Sequence, residues 1–207
     1  MSMPNYPNGD GVSYLGVRTI WTRPTFLFAV DTRGGPAFMR VDSELLGDDE
    51  RCVVVVRAEA FVQLWRQNIR GIHLDVAMRD PVTWPLDYKY AFAERGFAAG
   101  EGNPVPLADV ACHQDSSAST VSCDQSAFDG TSSIRSPPYL SISNGVTRSI
   151  WLMSNGASLF PVECRVKDRA DLLAAEAGAL GFSTQTVEQL FCKSRVGVCG
   201  VAPNHST

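Results

Sequence analysis

The stretch SNGVTRSIWLMSNGASLFPVEC, residues 143–164, decides the fold of this chain. Residues 139–143 alternate between apolar and polar side chains and predict a strand that runs into it. Residues 146–154 are predicted to form a short helix, and residues 158–166 have the apolar pattern of a second strand. An Asn-Gly pair, which is typical of turns, stands at each junction. A strand, a helix and a strand in such short succession indicate a mixed α/β fold.

The turn that opens the predicted helix has the features of an anion site. Gly145 lets the backbone come close to a ligand, and the first N–H groups of a helix have no partner inside it. Thr147 adds a hydroxyl, Arg148 adds a planar cation that fits phosphate oxygens, and Asn144 stands at the rim. No Walker lysine is present, so this is not a P-loop. The alternative is an ordinary Asn-Gly turn with Arg148 in a surface ion pair.

The chain before this stretch alternates between extended and helical patterns. Three strands are predicted, the first two joined as a hairpin: residues 24–31, 37–42 and 51–57. One helix is predicted over residues 57–71, with Ile69 on its packing face, and another near residues 87–95, ended by Gly96. The Asn103-Pro104-Val105-Pro106 segment predicts an extended loop.

Two helices are predicted after the second strand of the deciding stretch. Asp168 is predicted to cap the first of them, and Leu180 lies on its apolar face with Leu172, Leu173 and Ala175. Ser183 or Thr184 opens the last helix.

The domain prediction follows from composition along the chain. Residues 1–20 form a loose lead-in, residues 21–192 a single domain, and residues 193–207 a flexible tail. The polar, Ser-rich residues 113–138 are predicted to be a mobile surface insertion in that domain.

The overall composition excludes two classes of protein. The chain has 207 residues, is 44% hydrophobic and 19% charged, and carries a formal net charge of -4. These values exclude wholesale disorder, and they exclude a protein that coats nucleic acid through an excess of Lys and Arg. Any contact with a polyanion must therefore come from a local positive patch.

The cysteines and the hydropathy predict a cytoplasmic protein without a membrane span. None of the six cysteines forms a CxxC pair, no signal peptide is recognisable, and no apolar run is long enough to cross a bilayer. We therefore expect reduced thiols, with Cys52 and Cys164 as core residues, while Cys192 and Cys199 could pair.

Two blocks of sequence resemble a known family. The order strand, N-G-x-T-R, helix, N-G, strand resembles the core of the ParB/sulfiredoxin superfamily, in which a Gly-x-x-Arg box before a helix holds nucleotide phosphates. The amino-acid sequences of residues 139–165 and of residues 84–110 most resemble those of the plasmid fertility inhibition factors. The earlier block carries the matching residues Trp84, Asp87, Lys89, Tyr90, Gly96, Phe97, Gly100, Asn103, Pro104, Val105, Pro106, Leu107 and Ala108.

The resemblance implies a fold, a function and a site. The fold would be a ParB/sulfiredoxin-like mixed sheet with short flanking helices. The function would be to block conjugative transfer of a co-resident plasmid through a type IV secretion system, with nucleotide-dependent ATPase or DNase action on the transferred DNA. Asn144, Gly145, Thr147, Arg148 and Asn103 would bind ATP or another nucleotide, with Thr147 and Arg148 as the candidate catalytic residues.

Partners and alternatives also follow from the resemblance. The partner would be the transferred DNA or the coupling protein of the secretion channel, which could hold the chain peripherally at the inner membrane. One alternative is a non-catalytic protein that blocks the coupling protein by direct binding. Another is a small-molecule or nucleotide-binding domain unrelated to conjugation.

Some residues depart from the superfamily pattern or allow two interpretations. Val146 stands where sulfiredoxin chemistry needs a cysteine, so sulfinic acid repair is not expected, and no helix-turn-helix counterpart is visible. A divalent metal is a further possible cofactor, and its ligands are unknown. The carboxylates that could converge on the cleft, or be solvated loop charges, are Asp87, Glu101 and Asp109.

The remaining aromatic and histidine candidates carry weaker signals. The aromatic side chains that could stack on a base or cover the sheet edge are Trp84, Tyr88 and Tyr90. His73 is predicted to be a half-buried strand residue, His113 borders the Ser-rich segment, and His205 lies in the tail. No Ser-His-Asp arrangement can be argued from the sequence alone.

Overall fold

A computed structural model of the chain describes residues 11–45, 47, 50–115 and 136–196, with the backbone alone for Leu45 and residues 193–196. Within these residues the fold consists of two β-sheets and a set of short helices. The mixed α+β fold class predicted from the sequence is confirmed.

The smaller sheet contains four strands. β1 (Val12–Ile20), β2 (Arg23–Thr32) and β3 (Gly35–Asp42) are antiparallel neighbours, and the two-residue turn of the β2–β3 hairpin lies where the sequence predicts it. A two-residue strand, β5 (Val105–Pro106), pairs with β3 in parallel and completes the sheet. The strand order is β1-β2-β3-β5.

The larger sheet contains five strands and carries the stretch that decides the fold. Its members are β4 (Cys52–Arg57), β6 (Ala108–His113), β7 (Tyr139–Asn144), β8 (Leu159–Cys164) and β9 (Gln185–Thr186). Their order in the sheet is β7-β6-β8-β4-β9. The strand between β4 and β6 in the chain, β5 (Val105–Pro106), belongs to the smaller sheet. β6 runs parallel to β8 and antiparallel to β7. Because β5 and β6 are consecutive, the chain passes from one sheet to the other beside the predicted anion turn.

Six α-helices are described. They are α1 (Ala58–Arg66), α2 (Leu74–Ala77), α3 (Tyr90–Ala98), α4 (Val146–Ser154), α5 (Lys167–Ala177) and α6 (Val187–Val196). A 3₁₀ helix (Pro81–Leu86) connects α2 to α3, and a shorter one (Ser43–Leu45) follows β3. None of the helices in the described ranges is both long enough and apolar enough to span a membrane.

The core lies where the two sheets meet. β1 and β2 pack on β8, and the rings of Phe26 and Phe28, whose centroids are 5.0 Å apart, fill the space with Phe191 of α6. Cys52 and Cys164 are opposite each other on β4 and β8 and are fully buried in the core, as predicted from their apolar runs. Cys199 lies outside the described residues, so its pairing with Cys192 stays a prediction.

The deciding stretch folds as its pattern predicts. α4 begins at Val146 and ends at Ser154, and Gly156 adopts the left-handed conformation (φ 83°) just after the helix. The prediction is correct because both Asn-Gly turns are local signals that act within a few residues.

Helix lengths were predicted less well. α1 ends at Arg66 rather than near Gly71, because the Asn68 amide donates to the carbonyl of Leu140 on β7 (3.0 Å) and draws the chain out of the helix. Ile69 is therefore 77% exposed instead of packed.

The helix after the Trp84 region is also displaced from its prediction. α3 begins at Tyr90, after the Asp87 carboxylate accepts from the backbone N–H of Lys89 (2.9 Å). Gly96 lies inside the helix instead of ending it, and a Cβ at this position would make an ordinary contact with the Val105 side chain at 3.4 Å.

The C-terminal helices show two further errors. α5 begins at Lys167 with Val166 at its N-cap, so Asp168 contributes charge in the first turn rather than a capping hydrogen bond. The helix ends at Ala177 because the Ala179 N–H bonds to the carbonyl of Val55 on β4 (2.9 Å), and Leu180 is left 94% exposed.

Two predictions about loops are corrected as well, together with a missed strand and the position of His73. Residues 12–20 form β1 rather than a loose lead-in, and the extended loop at Val105–Pro106 pairs with β3. β6 has no counterpart in the sequence prediction, and His73 precedes helix α2 instead of lying in a strand. Most of residues 113–138, and residues 1–10 and 197–207, lie outside the described residues.

Candidate functional site

Gly145 lies in the turn between β7 and α4, and its backbone has a left-handed φ of 101°. A Cβ at this position would lie 2.7 Å from both the Cα and the Cβ of Ala108 on β6. Because such a contact is sterically forbidden, only glycine allows the turn to approach β6 this closely. The sequence predicts a close approach to a ligand, which stays a prediction; in the structure the residue approached is Ala108 of the protein itself.

Arg148 fixes the start of α4 to two neighbouring strands. Its Nη1 donates to the carbonyl of Pro106 on β5 (2.8 Å), and its Nη2 donates to the Asn144 Oδ1 at the end of β7 (3.0 Å). Burial, and then the positive charge of Arg40, lower the pKa of the Arg148 guanidinium, whereas Asp109 acts in the opposite direction. Two of its five donors therefore serve the fold.

A second arginine holds the same crossing of the chain. Arg40 of β3 donates to the carbonyl of Pro104, forms an ion pair with Asp42 (3.0 Å) and lies over the ring of Trp21 at 5.1 Å. Arg40 and Arg148 thus hold the residues around β5 from two directions, and together they concentrate positive charge in a chain that is acidic overall.

A groove of about 540 Å³ opens between α3 and the first turn of α4. Thr147 and Arg148 form one side, and the opposite side carries two exposed aromatic rings, Tyr88 (79% exposed) and Phe92 (65% exposed). The residues that line it are Tyr88, Lys89, Phe92, Ala93, Gly96, Val105, Thr147 and Arg148. An apolar wall next to a helix N-terminus suits a flat ligand that carries negative charge.

Positive groups accompany the exposed rings. The Lys89 ammonium lies 5.3 Å from the centroid of Tyr88, and the Arg95 guanidinium lies 4.7 Å from the centroid of Phe92. Each aromatic face of the groove rim is therefore already close to a cation, an arrangement that favours anionic or electron-rich partners.

The structure separates the predicted site residues. Gly145, Thr147 and Arg148 lie together at the start of α4, and Asn144 touches Arg148. Asn103 lies in the exposed turn before β5, where its backbone N–H bonds to the carbonyl of Gly100, and it does not contribute to the groove wall.

The aromatic candidates are separated in the same way. Trp84 is only 1% exposed and donates its indole N–H to the carbonyl of Val76 (2.9 Å), and Tyr90 is 9% exposed. Neither ring can stack on a ligand, so this interpretation is wrong for both and remains open for Tyr88. Sequence reasoning missed Phe92 and Lys89, whose only signal is their position one helical turn from each other next to Tyr88.

The acidic candidates do not converge. The Asp87 carboxylate accepts from the Lys89 N–H and lies 3.6 Å from Arg79, Asp109 pairs with Arg165 at 2.6 Å, and Glu101 is in an exposed turn. In the described ranges no three His, Cys, Asp or Glu side chains come close enough to hold a metal ion. These residues do not fit a protein-held divalent metal.

Comparisons with known proteins agree on one family. A family model described as plasmid fertility inhibition factor matches residues 53–178, more than half of the chain. The protein osa of Shigella flexneri is 28% identical over 142 residues, which make up 69% of this chain and 62% of that protein. The chain therefore matches less than two thirds of the length of this relative.

A solved structure supports the fold. The crystal structure of an oncogenic suppression activity protein, described as a plasmid fertility inhibition factor and determined as a gold(I) cyanide derivative, has a TM-score of 0.62 to this chain at 22% identity. The match covers 89% of this chain and 82% of that one, so it includes both sheets.

Proposed function

The chain belongs to the plasmid fertility inhibition factor family, and on this premise we propose that it reduces the conjugative transfer of a co-resident plasmid. Its place of action would be the cytoplasmic entrance of a type IV secretion channel. The transferred DNA or the coupling protein would be the partner there, and the coupling protein could hold the chain peripherally at the inner membrane.

The groove between α3 and α4 is the proposed ligand site. The observation that carries this proposal is the pairing of two exposed rings, Tyr88 and Phe92, with the N-terminal turn of α4 across one groove. A nucleotide would place its base on the rings and its phosphates near Thr147 and Lys89. The Thr147 hydroxyl and the free N–H groups of the first turn would donate to phosphate oxygens.

Arg148 would act mainly through its position. Its guanidinium already donates to Pro106 and Asn144, so it would provide positive charge behind Thr147 and keep the turn in place. Bound nucleotide, when present, would supply the phosphoanhydride bond that an ATPase cleaves. ATPase or DNase action stays a prediction in this proposal.

The first experiment tests the binding site. Titration with a fluorescent N-methylanthraniloyl ATP should give weaker binding for Thr147→Ala and Lys89→Ala, by about tenfold for the loss of one charge-assisted contact. The matched control is Ile72→Ala, which removes a side chain that is 86% exposed and outside the groove wall. Equal affinity for all four proteins would exclude the groove as the nucleotide site.

The second experiment tests the biological role. A donor strain that carries a conjugative plasmid and expresses this chain should transfer that plasmid less often than a donor with an empty vector. The same strain with Thr147→Ala shows whether nucleotide binding is needed. If no conjugative plasmid tested transfers less often, the fertility inhibition role is excluded.

Direct blocking of the coupling protein is the second candidate. It is favoured by the use of the Arg148 donors inside the fold and by the separation of Asp87, Glu101 and Asp109. Under this candidate, Thr147→Ala loses nucleotide binding but still inhibits transfer in full. Under the nucleotide-dependent candidate, the two properties are lost together.

A further inference from the structure

A serine and a histidine face each other on the antiparallel pair β6–β7, and neither of them lines the α3–α4 groove. In the register of this pair, Ala111 is opposite Ser141 and His113 is opposite Tyr139. The side chains of Ser141, His113 and Tyr139 therefore share one face of the sheet, while the alternate residues Leu140 and Cys112 are fully buried in the core.

The two polar side chains are in direct contact. The His113 Nε2 and the Ser141 Oγ are 2.9 Å apart, within the range at which a histidine can take the proton of a nucleophilic hydroxyl. The other polar contact of the hydroxyl is a long one, 3.4 Å to the carbonyl of Ala111. Both side chains are partly exposed, so an electrophile in solution can approach the hydroxyl.

Neighbouring groups hold the imidazole and set its charge. The ring of Tyr139 stacks on His113 with centroids 5.2 Å apart and an interplanar angle of 13°, and the Tyr139 hydroxyl donates to the Asp115 Oδ1 at 3.3 Å. Burial, and then the positive charge of Arg169 on α5, lower the pKa of His113, while Asp115 opposes them. The lowered pKa favours the neutral ring, the form that accepts a proton.

The surroundings supply room and positive charge. A groove of about 280 Å³ is lined by Tyr139, whose ring stacks on His113, together with Asp115 and Arg70, while Ser141 and His113 are not among its lining residues. Arg169 and Arg70 both act on Tyr139 as positive charges. Arg169 of α5 donates to the carbonyl of Cys112, the neighbour of His113, at 3.4 Å, so its positive charge would favour an anionic species near the dyad.

We propose that Ser141 is a nucleophile activated by His113, and that this dyad reacts with carboxylic esters by acyl transfer. The Ser141 Oγ forms a bond to the carbonyl carbon, the bond from that carbon to the alcohol oxygen breaks, and the hydroxyl proton passes through the His113 Nε2 to the leaving alkoxide. Water then attacks the acyl-serine by the reverse proton route and restores the hydroxyl. The α3–α4 groove takes no part, so this activity is independent of the proposed nucleotide site.

Diisopropyl fluorophosphate tests the proposal, because it traps hydroxyls that are activated for acyl transfer. The intact protein should gain one diisopropylphosphoryl group on the peptide that contains Ser141, as fluoride leaves. Ser141→Ala should lose the adduct, whereas Ser158→Ala, which removes an exposed serine elsewhere, should be labelled like the parent protein. An adduct on other residues, or none on Ser141, would overturn the proposal.

The role of His113 has two readouts of its own. His113→Gln should lower the labelling rate by roughly 10²-fold, with circular dichroism used to check that the variant is folded. Measured between about pH 5 and about pH 8, the rate in the parent protein should fall as His113 takes up a proton, at a lower pH than for an ordinary histidine, because burial and Arg169 lower its pKa. A rate that is unchanged by the substitution, or that follows hydroxide over the whole range, would show that Ser141 is not activated.

Discussion

We call Gly145 and Arg148, at the start of α4, the floor of the α3–α4 groove, and Tyr88 and Phe92 its rim. The floor and the rim are built in opposite ways. At the floor, Gly145 packs on Ala108 and Arg148 donates to Pro106 and Asn144, so these residues are engaged by the protein itself. At the rim, Tyr88 and Phe92 are mostly exposed, and their contacts are with the surface cations Lys89 and Arg95.

The difference separates two roles that one motif suggests at once. A Gly-x-x-Arg turn can indicate a phosphate site, but here the same two residues fix the crossing between the two sheets. The residues that remain available to a ligand are the side chains of the rim and Thr147. We therefore expect floor substitutions to act on stability and rim substitutions to act on binding.

Gly145→Ala should have the largest effect. The new Cβ would collide with Ala108 and the backbone would be strained at φ 101°, so the free energy of unfolding should fall by about 3 kcal/mol. The melting temperature should fall by roughly 6–12 °C in a thermal melt. The matched control is Gly100→Ala, which has a φ of 67° and no atom within 4 Å of the new Cβ, and it should cost about 1 kcal/mol. If the two variants lose the same free energy of unfolding, the close approach of Gly145 to β6 does not contribute to stability.

Arg148→Met should have the next largest effect. It removes two charge-assisted hydrogen bonds and leaves the Pro106 carbonyl and the Asn144 amide without their partner, so we expect a loss of about 2 kcal/mol in urea denaturation. Arg165→Met is the control, because that side chain is 65% exposed and its pair with Asp109 should contribute at most about 1 kcal/mol. If Arg148→Met lowers the free energy of unfolding no more than Arg165→Met does, the contrast between floor and rim is wrong.

The double variant Tyr88→Ala/Phe92→Ala should have the smallest effect on stability. Both rings are exposed, so the free energy of unfolding should change by less than about 0.5 kcal/mol per site. Affinity for a fluorescent adenine nucleotide should nevertheless fall by about tenfold or more, since stacking of a base on one ring contributes roughly 1–3 kcal/mol. A large loss of stability would show that the rim residues also stabilise the fold. The contrast between the floor and the rim would then be wrong.

The sequence predicts those parts of this structure that depend on neighbours in the chain. The two Asn-Gly turns, helix α4 and the β2–β3 hairpin follow from residues that lie next to one another, and all of them are confirmed. The placement of Gly145, Thr147 and Arg148 at a helix start is predicted for the same reason.

Features that depend on distant pairing were not predicted. The exposure of Ile69 and Leu180 results from hydrogen bonds of Asn68 and Ala179 to strands that lie far away in the sequence. The groove rim arises because α3 packs beside α4, and nothing in residues 87–96 alone distinguishes the exposed Phe92 from the buried Tyr90. The burial of Trp84 likewise depends on distant packing, because the 3₁₀ helix that carries it packs against α4.

Arg33, in the turn of the β2–β3 hairpin, reaches the far end of α4. Its backbone N–H bonds to the carbonyl of Asn155 (2.8 Å), and its Nη2 bonds to the carbonyl of Ser154 (2.7 Å), so a cation lies at the C-terminal end of the helix dipole. The hairpin that carries Arg33 precedes residue 53, where the family match begins.

The minimal folding unit is consequently larger than the segment that defines the family. A fragment of residues 53–178 would lack the residues that satisfy the carbonyls of Ser154 and Pro104, and it would expose the face of β8 on which β1 and β2 pack. Differences in residues 12–42 among related proteins can therefore change how firmly α4 is held at both ends without changing a single residue of the groove.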